Sequence, residues 1–428
     1  MTLENFTTYT AGGAQIAEVT VASGTLIQGR AQEPSEAWVY ADKTAGHFGR
    51  TFEHDFILTP RGYDSTGCYR NWAWGVSNNV DSAQDHYSGT LQGLDVFVEA
   101  TGYNIFLGND ETSEQSKLFN AAVLDTPYYL TVQRGLIATI AATTIRTKCR
   151  GMVESYLYLD RGAGQIGTTF THTVEATLHW GNHNPSMGGI YQICCWAVAN
   201  TLADATAWDA ANSEALSLAL YGANSKTAYT WRLRNEESGT HDVYTGADWD
   251  ATYYHTLIRV NSPSTIAAEI YSDAARTVLV DTLSVAVADG RTYQYQFGLQ
   301  TMGYGSYTSD SNGFADWTNA NLDCGAGVED YTTFTAAGAD AGEDYLVAYY
   351  WTDADRTVKG YATGVKVSSA RSHRYVYAFN ACDYGGTTAR GLDLDVEDLD
   401  LNEGGAPPGG PTYSVLNSAK VGQFAVLV

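Results

Sequence analysis

The stretch Glu36 to His54, EAWVYADKTAGHFGRTFEH, returns at Glu154 to His172 as ESYLYLDRGAGQIGTTFTH. A constant offset of 118 pairs Tyr40 with Tyr158, Asp42 with Asp160, Lys43 with Arg161, Gly46 with Gly164, Gly49 with Gly167, Phe52 with Phe170 and His54 with His172. A unit that occurs twice must fold twice, so the repeat limits the architecture more than any local propensity does.

The second copy continues to track the first. Trp74-Gly-Val-Ser-Asn78 is matched by Trp196-Ala-Val-Ala-Asn200, and Asp125-Thr-Pro-Tyr128-Tyr129-Leu-Thr131 by Asp250-Ala-Thr-Tyr253-Tyr254-His-Thr256. In copy two a hairpin follows, Ser272-Asp273-Ala-Ala-Arg276-Thr277-Val278, and then Tyr293-Gln-Tyr295-Gln-Phe297. Copy one lacks both at that point. Their matches stand near the end of the chain, as Thr352-Asp353-Ala-Asp355-Arg356-Thr357-Val358 and Tyr375-Val-Tyr377-Ala-Phe379. Copy one is therefore read as split, with copy two inserted at a hairpin turn, where few buried backbone hydrogen bonds are lost.

Val328 to Thr335 matches Leu3 to Thr10, the opening of copy one, while the insert has no such strand at its own start. This implies a circularly permuted insert; a third, truncated repeat beginning near Val328 is the alternative. The resulting division is 1–134 plus 343–403 for the first domain and 135–342 for the second. A GGAPPGGP linker over 404–411 and an apolar arm over 412–428 follow.

Short runs that alternate apolar and polar, such as Phe52 to Leu58, Leu94 to Val98, Tyr103 to Leu107 and Tyr128 to Val132, predict half-buried antiparallel strands. Tyr and Gly are abundant, at 30 and 43, against 8 Pro, which suits many strands joined by Gly-containing turns. The expected class is all-β. The best helical candidate, Leu202 to Leu220, is broken at Asn212 and then turns strand-like.

A formal net charge of -24 repels phosphate backbones and anionic lipid, so nucleic acid and membrane surfaces are not expected partners. MTLENFTTYT has neither a basic nor an apolar leader region, and no apolar run reaches the ~20 residues that span a bilayer. The expectation is a protein made in a cytoplasm. Cys68, Cys149, Cys194, Cys195, Cys324 and Cys382 form no C-x-x-C pair and read as buried free thiols; a Cys149–Cys324 bridge is the alternative.

The Tyr-x-Asp before a Gly-rich turn, the Tyr-Tyr-x-Thr strand, the Tyr-Ser-Asp-Ala-x-Arg-Thr hairpin and the closing Val-Glu-Asp-Leu-Asp-Leu strand together resemble the concanavalin A-like lectin/glucanase superfamily. Within it they are most similar to the laminin-G-like jelly rolls of phage and environmental bacterial proteins. The resemblance covers nearly all of residues 1–403. It implies two β-sandwiches, a concave face that often binds sugar, and a rim that often holds calcium.

Glucanases of that superfamily carry E-x-D-x-x-E. The nearest approach here, Asp398-Leu-Asp400-Leu-Asn-Glu403, departs at its first residue and lies on the closing strand, and Asn321-Leu322-Asp323-Cys324 of the other copy lacks the set. No enzyme activity is expected. Trp180, Asn182, His183 and Trp208 set aromatic rings beside polar groups in expected loops, the combination that stacks and hydrogen-bonds a sugar; buried edge aromatics are the structural alternative. Asp81, Asp85, Asp204 and Asp209, with Asn71, are oxygen donors for calcium, or else turn caps. The recurring His54 and His172 are read as packed or rim residues of a strand, with a ligand role as the alternative.

The arm residues Tyr413, Val415, Leu416, Phe424, Val426 and Leu427 either complete a sheet of the same molecule or dock on a partner. The expected role is structural and non-enzymatic: a virion protein, on a capsid, tail or fibre, assembling with other virion proteins or with itself and contacting glycans. A calcium-dependent surface lectin is the alternative, and a glycoside hydrolase ranks last.

Overall fold

A computed structural model describes residues 3–13, 19–29, 36–61, 70–86, 91–99, 102–136, 138–141, 143–150, 155–179, 191–203, 205–222, 229–247, 251–303, 312–322, 328–338, 343–382, 392–402 and 414–415. The chain is all-β and forms two compact units of antiparallel sheets. Unit 1 takes Met1–Gly135 and Asp344–Gly410; unit 2 takes Leu136–Glu343 and Pro411–Val428.

In unit 1, one seven-stranded sheet runs Thr10–Gly12, Trp38–Asp42, Tyr375–Cys382, Arg70–Ser77, Gly93–Glu99, Asn104–Asn109, Glu114–Phe119. The other runs Val19–Ser23, Leu26–Gly29, Asp393–Asp400, Phe52–Arg61, Tyr128–Leu136, Asp344–Trp351, Lys359–Val367. Facing side chains of the two sheets, including Val39, Phe56, Trp74, Val96, Leu130, Leu346 and Phe379, make one buried cluster. This is sandwich packing, in which alternate residues of each strand fill a shared core.

Unit 2 repeats the plan. One sheet runs Thr240–Ala247, Tyr229–Asn235, Ala215–Gly222, Tyr191–Ala199, Tyr295–Gly303, Ser155–Asp160, Thr335–Ala337. The other runs from Leu279–Ala286 through Phe170–His179 to Thr144–Arg150, Ala138–Ala141 and Ser414–Val415. Of the C-terminal arm, Ser414–Val415 therefore lies on the chain's own sheet, with Val415 opposite Thr139; Tyr413, Leu416, Phe424, Val426 and Leu427 lie outside the described residues.

Local hydrogen bonds explain why matching sequences make matching turns. Asp273 accepts from the backbone N–H groups of Thr277 and Val278 and from the Thr277 hydroxyl, and Asp353 does the same for Thr357 and Val358. A carboxylate that ties several donors of one turn fixes its shape. Asn5 accepts from Thr7 N–H ahead of the 3-10 turn Phe6–Thr8, as Asp330 accepts from Thr332 N–H ahead of Tyr331–Thr333. The strands that follow pair alike, Thr10 opposite Tyr40 and Thr335 opposite Tyr158.

Among the described residues the longest helix, α2 (Ala205–Ala211), stops where Asn212 adopts φ 47, and the chain re-emerges as Ala215–Gly222. Among the described residues, no helix is long and apolar enough to cross a membrane.

Candidate functional site

Period 2 would put Trp72 and Trp74 on the same face of their strand. A bulge between them, opposite Val96 and Phe97, turns them to opposite faces. Trp74 enters the sandwich core, while Trp72 joins a second cluster on the face turned away from that core. That cluster comprises Trp72, Phe97, Tyr377 and Ala83, edged by half-buried Trp38, Tyr40, Phe106 and Tyr375. The rings form a row across five strands: Tyr40 stands 5.6 Å from Tyr375 and 5.9 Å from Tyr377, Tyr377 5.5 Å from Trp72, and Phe97 stacks on Phe106 at 5.0 Å.

The middle of the row is covered by the segment that joins Arg70–Ser77 to the next strand. It carries the single turn α1 (Ala83–Asp85), and four hydrogen bonds strap it down. Asp81 N–H donates to the Tyr377 hydroxyl at 3.1 Å, and that hydroxyl donates to Asn79 O at 2.7 Å. Ala83 N–H donates to Asn380 Oδ1 at 2.9 Å, and Asn380 Nδ2 donates to Asp81 O at 3.0 Å. The cover carries His86, whose ring lies 4.9 Å from Trp72. Burial holds the His86 imidazole neutral, lowering its pKa to about 4.

Beside His86 lie three charged groups that sequence reasoning missed. Arg70 sits 3.4 Å above the Phe97 ring, its Nη2 3.4 Å from Asp95 Oδ2 and 3.9 Å from Asp110 Oδ1. Asp95 and Asp110 are hydrogen-bonded to each other, and burial pushes both carboxyls up, Asp110 well above the usual range. Burial and the neighbouring acid both favour keeping a proton on such a pair. A Cβ on Gly93 would stand 2.9 Å from Asp110 Oδ2 and 3.1 Å from His86 Nδ1, so both atoms crowd over one residue that has no side chain. Both His86 nitrogens and Trp72 Nε1 are buried and have no hydrogen-bond partner among the described residues.

Unit 2 fills the corresponding face differently. Strand pairing sets Tyr375 opposite Asp42 and Tyr295 opposite Asp160, which corrects the sequence match of this strand by two residues and puts Phe297 in the place of Tyr377. Trp208 likewise occupies the place of His86, Cys194 that of Trp72, and Ser217 with Glu236 that of Asp95 with Asp110. Trp208 stands edge-on to Phe297 at 4.8 Å, and its indole N–H donates to Thr201 O at 3.1 Å. Ser217 donates to Glu236 at 2.7 Å. Large and small have traded places, and every polar group named in that exchange has a partner.

Of the residues expected to bind sugar, Trp208 is fully buried and presents no face to solvent; the edge-aromatic alternative describes it. Trp180, Asn182 and His183 lie outside the described residues. Asp81 and Asp85 are brought together: Asp81 accepts from Ser82 N–H and Asp85 from the Ser82 hydroxyl, and burial raises the Asp81 carboxyl. The two serve as caps and fall short of the six to eight oxygens calcium takes. Asp204 lies outside the described residues, and Asp209 belongs to α2. Among the described residues, no group of three His, Cys, Asp or Glu side chains is placed to hold a metal ion. Asn71 is a strand residue rather than a loop residue, buried and donating to Leu392 O at 2.6 Å. Asp398 and Asp400 lie on the closing strand, on the sheet opposite the aromatic row; Asp400 accepts from Asn402 N–H. Cys194 and Cys195 are buried free thiols, and Cys324 lies outside the described residues.

No family model matches the chain, and no curated protein matches it in sequence. Among solved structures, winged bean acidic lectin in complex with methyl-α-D-galactose is 7% identical over 44% of this chain and 93% of its own, at a TM-score of 0.30. The exoplasmic/lumenal domain of VIP36 in its Ca2+/Man-bound form is 10% identical over 48% and 89%, at 0.29. The PL7 alginate lyase AlyA1 from Zobellia galactanivorans is 11% identical over 62% and 95%, at 0.24. At such identities and scores the likeness carries no functional argument, and the fold rests on the strand topology itself.

Proposed function

We propose that the chain is a non-catalytic carbohydrate-binding protein and that the aromatic face of unit 1 is its binding face. The observation that carries this reading is the row of rings from Trp38 to Phe106, which runs across a sheet face and encloses polar atoms that lack partners among the described residues. Aromatic faces with a few convergent polar groups suit a sugar, whose C–H side stacks while its hydroxyls hydrogen-bond. The reading is non-catalytic because Asp95 and Asp110 touch each other. Carboxyls that cleave a glycosidic bond flank it at about 5 Å or more, with the sugar between them.

The setting we propose is a virion surface, with the apolar 412–428 segment joining other virion proteins or a second copy. We also propose that the two units are copies of one jelly roll, the second inserted into the first and permuted. The shared turns, caps and strand pairings support that history.

Titration of the full-length chain with a panel of oligosaccharides tests the binding reading. Phe106→Ala, at the half-buried end of the row, is expected to weaken binding by about tenfold, the scale of one lost stacking contact. A chain that binds none of the panel would end the proposal. Sedimentation of the chain with particles, and its loss on truncation after Gly404, tests the setting.

A further inference from the structure

We propose that the ligand of this face is an uncharged sugar, one per chain, held beneath the 79–86 cover against Trp72, His86 and the Asp95–Asp110 pair. This rests on the carbohydrate reading and adds the charge class, the stoichiometry and the contacting residues.

Charge decides the class. Arg70 is held by Asp95 at 3.4 Å and by Asp110 at 3.9 Å, and burial pushes both carboxyls toward their uncharged forms. A uronate or sulfate placed there would meet two acids and a guanidinium already engaged by them, inside a chain of net charge -24. Desolvating an anion at such a place is costly, whereas a hydroxyl brings no charge.

The polar atoms fit hydroxyls. Trp72 Nε1 offers a donor and neutral His86 one donor and one acceptor, all buried and without partners among the described residues. Each sugar hydroxyl both donates and accepts, so two neighbouring hydroxyls satisfy this set and remove a standing cost of unmade hydrogen bonds. Entry requires the cover to lift, which breaks its four bonds to Tyr377 and Asn380.

The count of one follows from unit 2. Trp208 fills the place of His86 and already donates to Thr201 O, Cys194 brings no ring, and Ser217 is spent on Glu236. That face is closed by its own side chains.

The experiment is isothermal titration of the full-length chain with neutral gluco- and galacto-oligosaccharides, and separately with oligouronates and sulfated galactan fragments. Two variants accompany it: His86→Ala, and the unit 2 combination Trp72→Cys with His86→Trp, which keeps the face filled should the alanine variant fail to fold. Neutral sugars are expected to bind at one site per chain, with the acidic sugars weaker by about tenfold or more. Each variant is expected to lose about tenfold or more, as when a buried hydroxyl partner is removed. Tighter binding of the acidic sugars, two sites per chain, or folded variants that bind like the parent would overturn the inference while leaving carbohydrate binding intact. Binding of no sugar at all would overturn both.

Discussion

Trp74 donates its indole N–H to Nδ1 of His54 at 3.1 Å, and Trp196 makes the same bond to His172 at 3.0 Å. In each unit a phenyl ring closes the other side of the imidazole, Phe52 at 4.6 Å and Phe170 at 4.1 Å. The repeated histidine is thus a core residue with a dedicated donor. Trp74→Phe, and equally Trp196→Phe, removes that donor and leaves a buried acceptor. Each is expected to cost about 2 kcal/mol, from an unsatisfied polar atom plus a small void. Urea unfolding followed by circular dichroism measures it, and a loss within a few tenths would show that the bond contributes nothing.

Acid should weaken both units through these imidazoles. Burial lowers His54, His172, His255 and His373 to about 3, from an ordinary 6.5. The unfolded chain takes up protons that the folded chain refuses, so stability is lost as pH falls from about 6.5 toward about 3, at up to about 1.4 kcal/mol per unit for each group. Urea midpoints between pH 7.5 and 5 should fall steadily. A flat profile would mean that the imidazoles ionise freely inside the fold.

The carboxyl pair acts in the opposite sense. Asp110 is held well above 3.8 by burial and by Asp95, so ionising it at neutral pH costs stability, and the cost disappears as pH falls through the folded value toward 3.8. Asp110→Asn keeps a donor toward Asp95 and leaves Arg70 its partner. It should therefore stabilise the chain at pH 7.5, with the gain shrinking toward acid. Melting temperatures of parent and variant across that range decide it, and a gain that grew on acidification would contradict a raised Asp110 pKa.

The sandwich was legible because its signals are local. Apolar alternation over Phe52 to Leu58 and Tyr128 to Val132 marked the strands Phe52–Arg61 and Tyr128–Leu136, and the Asp-x-x-Arg-Thr hairpins carry their own carboxylate tie. Gly46 was legible for the same reason, since its φ of 78 favours glycine, whereas the equally repeated Gly49 has open space around its Cβ position and a repeat alone could not tell the two apart. The aromatic face was not legible. Its existence depends on bulges, between Trp72 and Trp74 and between Tyr377 and Phe379, that reverse the facing of residues two apart. Arg70 and Asp95 come from two strands and Asp110 from the turn after a third, joined only by pairing in space. Trp208 shows the same limit, because an aromatic reads alike in sequence whether it faces solvent from a loop or, as on α2, lies buried against Phe297.

Arg134 Nη2 donates to Asp344 Oδ2 at 2.9 Å with both side chains fully buried, and Arg50 shares the same carboxylate at 2.7 Å. Arg259 holds the matching seat in unit 2, since Arg134 lies opposite Phe52 and Arg259 opposite Phe170. Its acid is replaced by Ser264, whose hydroxyl accepts at 3.0 Å, and by the carbonyls of Val260, Thr265 and Ala288. These oxygens accept from Nη1 and Nη2 but do not cancel the charge, while Nε is buried without a partner among the described residues, and burial lowers the Arg259 pKa. Asp344→Ser imposes the unit 2 arrangement on unit 1 while stranding two guanidinium groups, and should cost about 3–5 kcal/mol, as when one partner of a buried ion pair is removed. Ser264→Asp supplies Arg259 with a carboxylate and should raise stability. Urea unfolding of both variants gives the answer: an Asp344→Ser cost no larger than the ~1 kcal/mol of an exposed pair would show that the surrounding carbonyls suffice alone.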